Sequence, residues 1–269
     1  MRQKYGQNFL YDKNIANKIV SAAEITSDDN VIEVGPGKGI LTEIIASKAK
    51  EVIAVEIDQR LTERLRTRFS AYANVKIINQ DFMSFAFEGQ KKFNLVANLP
   101  YYMATAIIRK FLPAHEWEKA IVMVQKEVGK RITAKPGSKI YGALSLFCQY
   151  FADARILFSV SPGSFAPPPK VDSVVISLSN LFRPEPPKHL FELISLCFQQ
   201  RRKTLLNALH GGFDVSKDEL LKACKKACIN PLLRPENLSL DNFKDLTFSL
   251  TYYRILGYKS QNTIKYGNN

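Results

Sequence analysis

Val31-Ile32-Glu33-Val34-Gly35-Pro36-Gly37-Lys38-Gly39 is an apolar run that ends in three glycines just before a helical stretch, Leu41–Ser47. Glycine at such a junction lets the backbone turn sharply and approach a ligand without interference from a Cβ. Six further short runs follow: Glu51–Ile57, Val75–Asn79, Phe93–Ala97, Ala120–Gln125, Ile156–Ser159 and Val174–Leu178. Helical segments such as Arg60–Phe69 and Thr105–Leu112 separate the earlier ones. Most are apolar throughout rather than alternating, as strands are when helices cover both faces of a parallel sheet. The alternation predicts an α/β fold, a doubly wound Rossmann-like sheet with right-handed crossovers. Asp12–Glu24 adds a helix ahead of it, with Ile15, Ile19 and Val20 on one face.

After this region the composition changes. Arg183-Pro184-Glu185-Pro186-Pro187 reads as a linker, because proline restricts itself and the residue before it. Beyond it Leu190–Cys197, Thr204–Leu209, Asp218–Ala227 and Leu240–Leu250 all read as helices. The expected organisation is therefore an α/β domain over residues 1–180 and a small all-α domain over 188–269, with the polar tail Tyr258–Asn269 frayed. The 269 residues carry 38 Lys and Arg against 25 Asp and Glu, a net charge of +13. That excess favours a polyanionic partner, either nucleic acid or an acidic membrane surface. No apolar run approaches the roughly 18 residues of a membrane span, and Met1–Leu10 lacks the apolar region of a signal peptide. Cys148, Cys197, Cys224 and Cys228 are too few and scattered for a disulfide framework, and Cys224 with Cys228 reads as two packed thiols in a helix. A cytoplasmic chain without a metal site is the expectation.

The glycine loop alone leaves two readings open, a nucleotide-like ligand at the carboxyl edge of the sheet or a junction that needs glycine for geometry only. A dinucleotide fingerprint is not met, since Ile40 and Pro36 break its pattern. The next strand ends in Glu56-Ile57-Asp58, where Glu56 can accept hydrogen bonds from both hydroxyls of a ribose and Asp58 suits a helix cap. The third strand ends in Gln80-Asp81, and Asp81 can accept from an adenine amine. The competing readings are a second cap for Glu56 and a solvated loop charge for Asp81. Three consecutive strand ends with suitable groups make an adenosine site, similar in shape to that of S-adenosylmethionine-dependent methyltransferases.

The fourth strand runs into Asn98-Leu99-Pro100-Tyr101. Pro100 cannot continue the ladder and leaves the Leu99 carbonyl without its usual partner. A side-chain oxygen and a free carbonyl then stand beside an aromatic ring. Two acceptors on the hydrogens of an exocyclic base amine draw its lone pair out of the ring, and Tyr101 can stack on the base. Positioning and aimed dipoles supply most of the effect, with no general base of shifted pKa. The alternative is a strand-ending turn with a packed tyrosine.

This motif resembles the Asn/Asp-Pro-Pro-Tyr class of adenine amine methyltransferases. More narrowly, the chain resembles the small-subunit rRNA adenine dimethyltransferases of the KsgA type. Gly6-Gln7-Asn8-Phe9-Leu10, Glu33-Val34-Gly35-Pro36-Gly37, Asn98-Leu99-Pro100-Tyr101 and Ser164-Phe165-x-Pro167-x-Pro169-Lys170-Val171-Asp172-Ser173 stand in that family's order, and Phe198-x-x-Arg201-Arg202-Lys203 with Leu205, Asn207 and Leu209 also matches. The likeness runs from Lys4 to about Leu250. It implies S-adenosyl-L-methionine as cofactor, with Asn8 and Leu10 over its methionine end and Gly35, Gly37, Glu56, Asp81 and Asn98 completing the site. It implies a catalytic set of Asn98, Leu99, Pro100, Tyr101 and Phe165, the last clamping a flipped adenine against Tyr101. The Pro-stiffened loop around Phe165 is consistent with replacing the stacking lost on base extrusion. The implied substrate is a pair of adjacent adenosines near the 3′ end of small-subunit (16S) rRNA within a 30S-type subunit, acted on by a monomer.

Lys126, Lys130, Arg131 and Lys135 follow the fifth strand, and Arg201-Arg202-Lys203 and Lys222 with Lys225-Lys226 add clusters in the helical part. Charge runs are commonly solvated faces. Beside a base-modifying site, Lys126, Lys130, Arg131, Arg201, Arg202 and Lys203 become candidate contacts to the RNA backbone. Three rivals remain: the macrolide-resistance methyltransferases of large-subunit rRNA, a non-catalytic RNA assembly factor, and an NAD oxidoreductase. The last lacks a hydride-transfer acid, since His115, His189 and His210 are scattered.

Overall fold

A computed structural model describes residues 8–87 and 89–256. Gly6 and Gln7 of the first motif and the tail Tyr258–Asn269 lie outside the described residues. The described residues form two compact units, one up to residue 130 together with 151–182, the other 131–150 together with those from 183 onward.

The first unit begins with β1 (Phe9–Leu10) and α1 (Lys13–Ala23). It continues through β2 (Asn30–Val34), α2 (Ile40–Ala46), β3 (Glu51–Glu56), α3 (Gln59–Arg68) and β4 (Val75–Asn79). Next come β5 (Phe93–Asn98), α4 (Ala104–Phe111), β6 (Trp117–Gln125) and most of α5 (Lys126–Ile132). After the segment containing α6 (Ala143–Phe151), the chain returns with β7 (Ala152–Val160), β8 (Phe165–Ala166) and β9 (Ser173–Asn180). The main sheet has the order β4-β3-β2-β5-β6-β9-β7. Its first five strands are parallel, so the loops after β2, β3, β4 and β5 open at one edge. The core on one side packs Ile19, Val20, Leu41 and Ile45 against Val31, Val52 and Val96, all nearly inaccessible.

Two features depart from the sequence reading. The last two strands are antiparallel rather than parallel, β9 lying between β6 and β7. The connection between them carries a single 3-10 turn, Pro162–Ser164, and no α-helix, and β7, at the edge, exposes Arg155, Ile156 and Leu157. Residues 131–150 belong to the second unit although they precede the last strands. Charge in Lys126–Lys135 masks the periodicity of α5, and Gly142 interrupts the run before α6.

The second unit adds α7 (Leu190–Gln199), α8 (Leu205–Gly212), α9 (Lys217–Lys226) and α10 (Leu240–Tyr252). Thr204, Ser216 and Ser239 cap three of these helices, the last two with reciprocal capping boxes. A Cβ on Gly212 would sit 2.4 Å from Leu196, so that glycine lets α8 lie directly on α7. Cys224 is buried in α9, but Cys228 is exposed just past the helix end at φ 56°, so the two are not a packed pair. Among the described residues no helix is long and apolar enough to cross a membrane.

Candidate active site

The loops after the parallel strands enclose a cavity of about 310 Å³. Its walls include Asn8, Leu10, Gly35, Gly37, Glu56, Asp81, Asn98, Leu99, Pro100 and Tyr101. Residues separated by as much as 93 positions thus meet at one sheet edge.

The glycine loop needs glycine for two different reasons. Gly35 has φ +65° and its missing Cβ faces open space, with only Pro100 at 4.0 Å, so a ligand can approach the backbone there. Gly37, at φ +59°, has the Phe9 ring over it, where a Cβ would come within 3.0 Å. The Gly35 N–H still donates to the Val55 carbonyl (2.9 Å), extending the sheet into the loop.

Glu56 is 3 % exposed, and one oxygen accepts from the Gly37 N–H (3.2 Å), the other from the Asp58 N–H (3.0 Å). A carboxylate offers about four acceptor directions, so two remain for hydroxyls. Burial pushes its pKa up, while these backbone donors pull it down. Asp58 caps α3 through the Arg60 N–H (2.9 Å). Asp81 is exposed, belongs to the cavity walls, and accepts the Met83 N–H with only one of its two oxygens (2.9 Å).

The amino-terminal segment is held by a loop 150 residues away. β1 pairs antiparallel with β8, Leu10 opposite Phe165. The Tyr11 hydroxyl donates to the Gly163 carbonyl (2.6 Å), and Ser164 donates to Asp12 (3.1 Å). This places the Asn8 carbonyl where the Asn98 amide donates to it (3.4 Å). Asn98 Oδ1 is therefore oriented away from Asn8. The Leu99 N–H donates to Met123 (3.1 Å), while nothing among the described residues donates to the Leu99 carbonyl. The Pro100 carbonyl accepts from the Met103 N–H (2.9 Å), closing the turn that carries Tyr101.

Phe165 is placed differently from the expectation. Its ring is 2 % exposed within the core beside Leu10 and Val160 and does not line the cavity. The β1–β8 ladder, which pairs it with Leu10, turns it inward. Other aromatic groups at the cavity went unassigned in the sequence: Phe9 and the 61 % exposed Tyr102. Glu33 was also missed. It is 1 % exposed, accepts from the Thr42 hydroxyl (2.6 Å), and burial pushes its pKa up to about 8. A carboxylate inside an otherwise apolar strand was the available signal.

The basic candidates separate. Lys126 pairs with Asp172 (2.9 Å), and Lys130 and Arg131 are exposed on α5. Arg201 donates to the carbonyls of Lys139 (2.8 Å) and Tyr141 (2.9 Å) and pairs with Glu236 (3.3 Å), whereas Arg202 and Lys203 are exposed.

The family model for ribosomal RNA adenine dimethylase matches residues 1–249. This chain belongs to that family. It is 42 % identical over 265 residues to ribosomal RNA small subunit methyltransferase A of Ligilactobacillus salivarius, covering 93 % of this chain and 90 % of the relative. The protein of the same name from Alkaliphilus metalliredigens is 43 % identical over 258 residues, covering 90 % and 89 %. Among solved structures, a dimethyladenosine transferase from Plasmodium falciparum superposes with a TM-score of 0.79 at 27 % identity, covering 92 % of this chain and 98 % of that one. The 23S rRNA methyltransferase ErmE gives 0.71 at 27 % identity, covering 91 % and 100 %. The chain is thus an rRNA methyltransferase with a Rossmann-like fold, and the family implies a methyl donor of the S-adenosylmethionine type. The open approach at Gly35, the spare acceptors of Glu56 and Asp81 and the cavity size fit an adenosine-bearing donor.

Proposed function

We propose that this protein dimethylates the N6 amine of two adjacent adenosines in the 3′-terminal loop of small-subunit (16S) rRNA, during assembly of a 30S-type subunit. S-Adenosyl-L-methionine, when bound, supplies the electrophilic methyl group. Glu56 receives the ribose hydroxyls, Asp81 the adenine amine of the donor, and Asn8, Leu10, Gly35 and Gly37 enclose the rest. Asn98 and the Leu99 carbonyl accept the hydrogens of the target amine and direct its lone pair outward. Tyr101 supports the ring of the extruded base. Two acceptors on one nitrogen are worth most when water is excluded, since aimed dipoles then act without reorganising.

The observation that carries this reading is the pair of acceptors at Asn98 and Leu99. The Asn98 amide is held by the Asn8 carbonyl, and among the described residues nothing donates to the Leu99 carbonyl. The small-subunit substrate is supported by the names of relatives above 40 % identity over nine-tenths of the chain. The protein is taken to act in the cytoplasm, as a monomer.

The test is transfer of labelled methyl to small subunits from undermethylated cells, beside large subunits and free rRNA. The expected product is dimethyladenosine in small-subunit rRNA alone. Label in large-subunit rRNA would move the assignment to the resistance-type substrate. No label anywhere, with donor still bound, would leave an RNA-binding assembly factor.

A further inference from the structure

The Tyr101 hydroxyl lies 2.5 Å from the hydroxyl of Ser173, a side chain with no solvent exposure. Ser173 opens β9, paired with Gln125 at the end of β6 and with Val160 at the end of β7. The contact joins the turn after a parallel strand to the first residue of the antiparallel part of the sheet.

Its surroundings make Ser173 a rigid mount. The preceding residue, Asp172, is held twice by Lys126: its carbonyl accepts the Lys126 N–H (3.0 Å), and its carboxylate pairs with the ammonium (2.9 Å). The next residue, Val174, packs so closely under α5 that a Cβ on Gly129 would come within 2.3 Å of it. At its other end, the Tyr101 backbone follows Pro100, whose φ is fixed by its ring. A tyrosine has two side-chain torsions. With its backbone set by a proline turn and its hydroxyl tied to a buried serine, the direction of the ring's long axis is fixed, and the preference of a phenol O–H for the ring plane biases the rotation about that axis.

We propose that Ser173 is a positioning residue for methyl transfer: its hydroxyl, bonded to that of Tyr101, fixes the direction in which the ring is held against the target base. It thereby sets where the amine lies relative to the acceptors of Asn98 and Leu99. This rests on the reading of Tyr101 as the support for the target base. Proximity effects are steep enough for a small swing of that ring to lower the rate. A bond that only satisfied two hydroxyls would instead alter stability and leave turnover unchanged.

The test uses the full chain with undermethylated small subunits, comparing parent, Ser173→Ala, Tyr101→Phe and the double variant. Turnover, KM for the subunit, Kd for S-adenosylmethionine and Tm are measured for each. Each single substitution is expected to lower kcat about five- to tenfold, with donor affinity within about twofold of the parent. Because both remove the same bond, the double variant should be no slower than the slower single. Losses that multiply would overturn the proposal, as would parental kcat in Ser173→Ala with only Tm lowered. If Ser173→Ala does not fold, Tyr101→Phe decides alone, since it keeps the ring and loses only the hydroxyl. Tyr101→Ala separates this proposal from the reading beneath it. Parental transfer in Tyr101→Phe with none in Tyr101→Ala removes the role of Ser173 and keeps the base support. Parental transfer in both removes the base support itself.

Discussion

The carboxyl edge of the parallel strands and the basic segment Arg201–Lys203 were both singled out by sequence, and they fared differently in the fold. At the sheet edge Gly35, Glu56, Asp81 and Asn98 converge on one cavity, each with capacity left for a ligand. In the basic segment the three cations divide. Arg201 is tied to two carbonyls and a carboxylate of its own unit, and only Arg202 and Lys203 are exposed. A strand end fixes where its side chain goes, because every parallel strand delivers its last residue to the same edge. A run of positive charge fixes only a count, and the fold then decides which members stay in solvent.

The comparison breaks most plainly if the edge residues are not chemical. Asn98→Ala removes one acceptor and the amide that meets the Asn8 carbonyl. Transfer should fall on the order of a hundredfold or more, the effect of losing one aimed dipole at a reacting centre. Binding of RNA should change little. Filter binding beside labelled-methyl transfer checks both, and a parental rate would show that the edge carries another function.

Glu33 sharpens what counts as the edge, because it lies at the cavity yet is buried and bonded to Thr42. Burial raises its pKa from the ordinary 4.5 to about 8 in the fold. Below about pH 4.5 the carboxyl is neutral in both folded and unfolded chains, and the native state keeps its full advantage. As pH rises toward 8 the unfolded chain ionises first, so stability falls through that window by on the order of a few kcal/mol and then levels off. Glu33→Gln should lack this decline, its Tm gaining on the parent between pH 5 and 8. Parallel Tm curves would mean that Glu33 is ionised in the fold.

Much of this was legible beforehand, and the misses share a physical cause. β2 to β5 were readable because strands buried on both faces are apolar throughout, and their ends carry the glycines and carboxylates. The position of Phe165 was not readable. Its direction depends on β1 pairing with β8, a contact between two-residue strands that no local pattern announces. The same pairing brings Asn8 to Asn98, so one long-range ladder positions both residues. The antiparallel turn of the sheet was hidden too, since Val174–Leu178 is as apolar as its parallel neighbours. Ser173, the polar residue that opens that strand, has no local pattern that would tie it to Tyr101, 72 positions away.

Arg201 tests the division of the basic segment by stability. Arg201→Ala leaves the Lys139 and Tyr141 carbonyls without their donor, an expected loss of about 1–3 kcal/mol, seen as a lower urea midpoint at unchanged slope. The side chain is partly exposed, so water will recover some of that loss. An unchanged midpoint would return Arg201 to the group of free cations.

Arg202 and Lys203 carry the smallest effect and the most specific one. Both are exposed, so neither Arg202→Ala nor Lys203→Ala should change the unfolding free energy read from urea melts by more than about 0.5 kcal/mol. If each meets a phosphate, removing it releases one fewer counterion on binding. The slope of log K against log salt should then flatten by about 0.7 to 0.9 per substitution, depending on whether the contacted RNA is single- or double-stranded. Arg201→Ala, compared at a urea-free temperature well below its Tm, should leave that slope unaltered because its guanidinium is engaged within its own unit. A slope that changes with Arg201 and not with its neighbours would invert the assignment. It would mean that the network around Glu236 opens when RNA binds, and that a cation's bonds in the free protein are no guide to whether it touches the substrate.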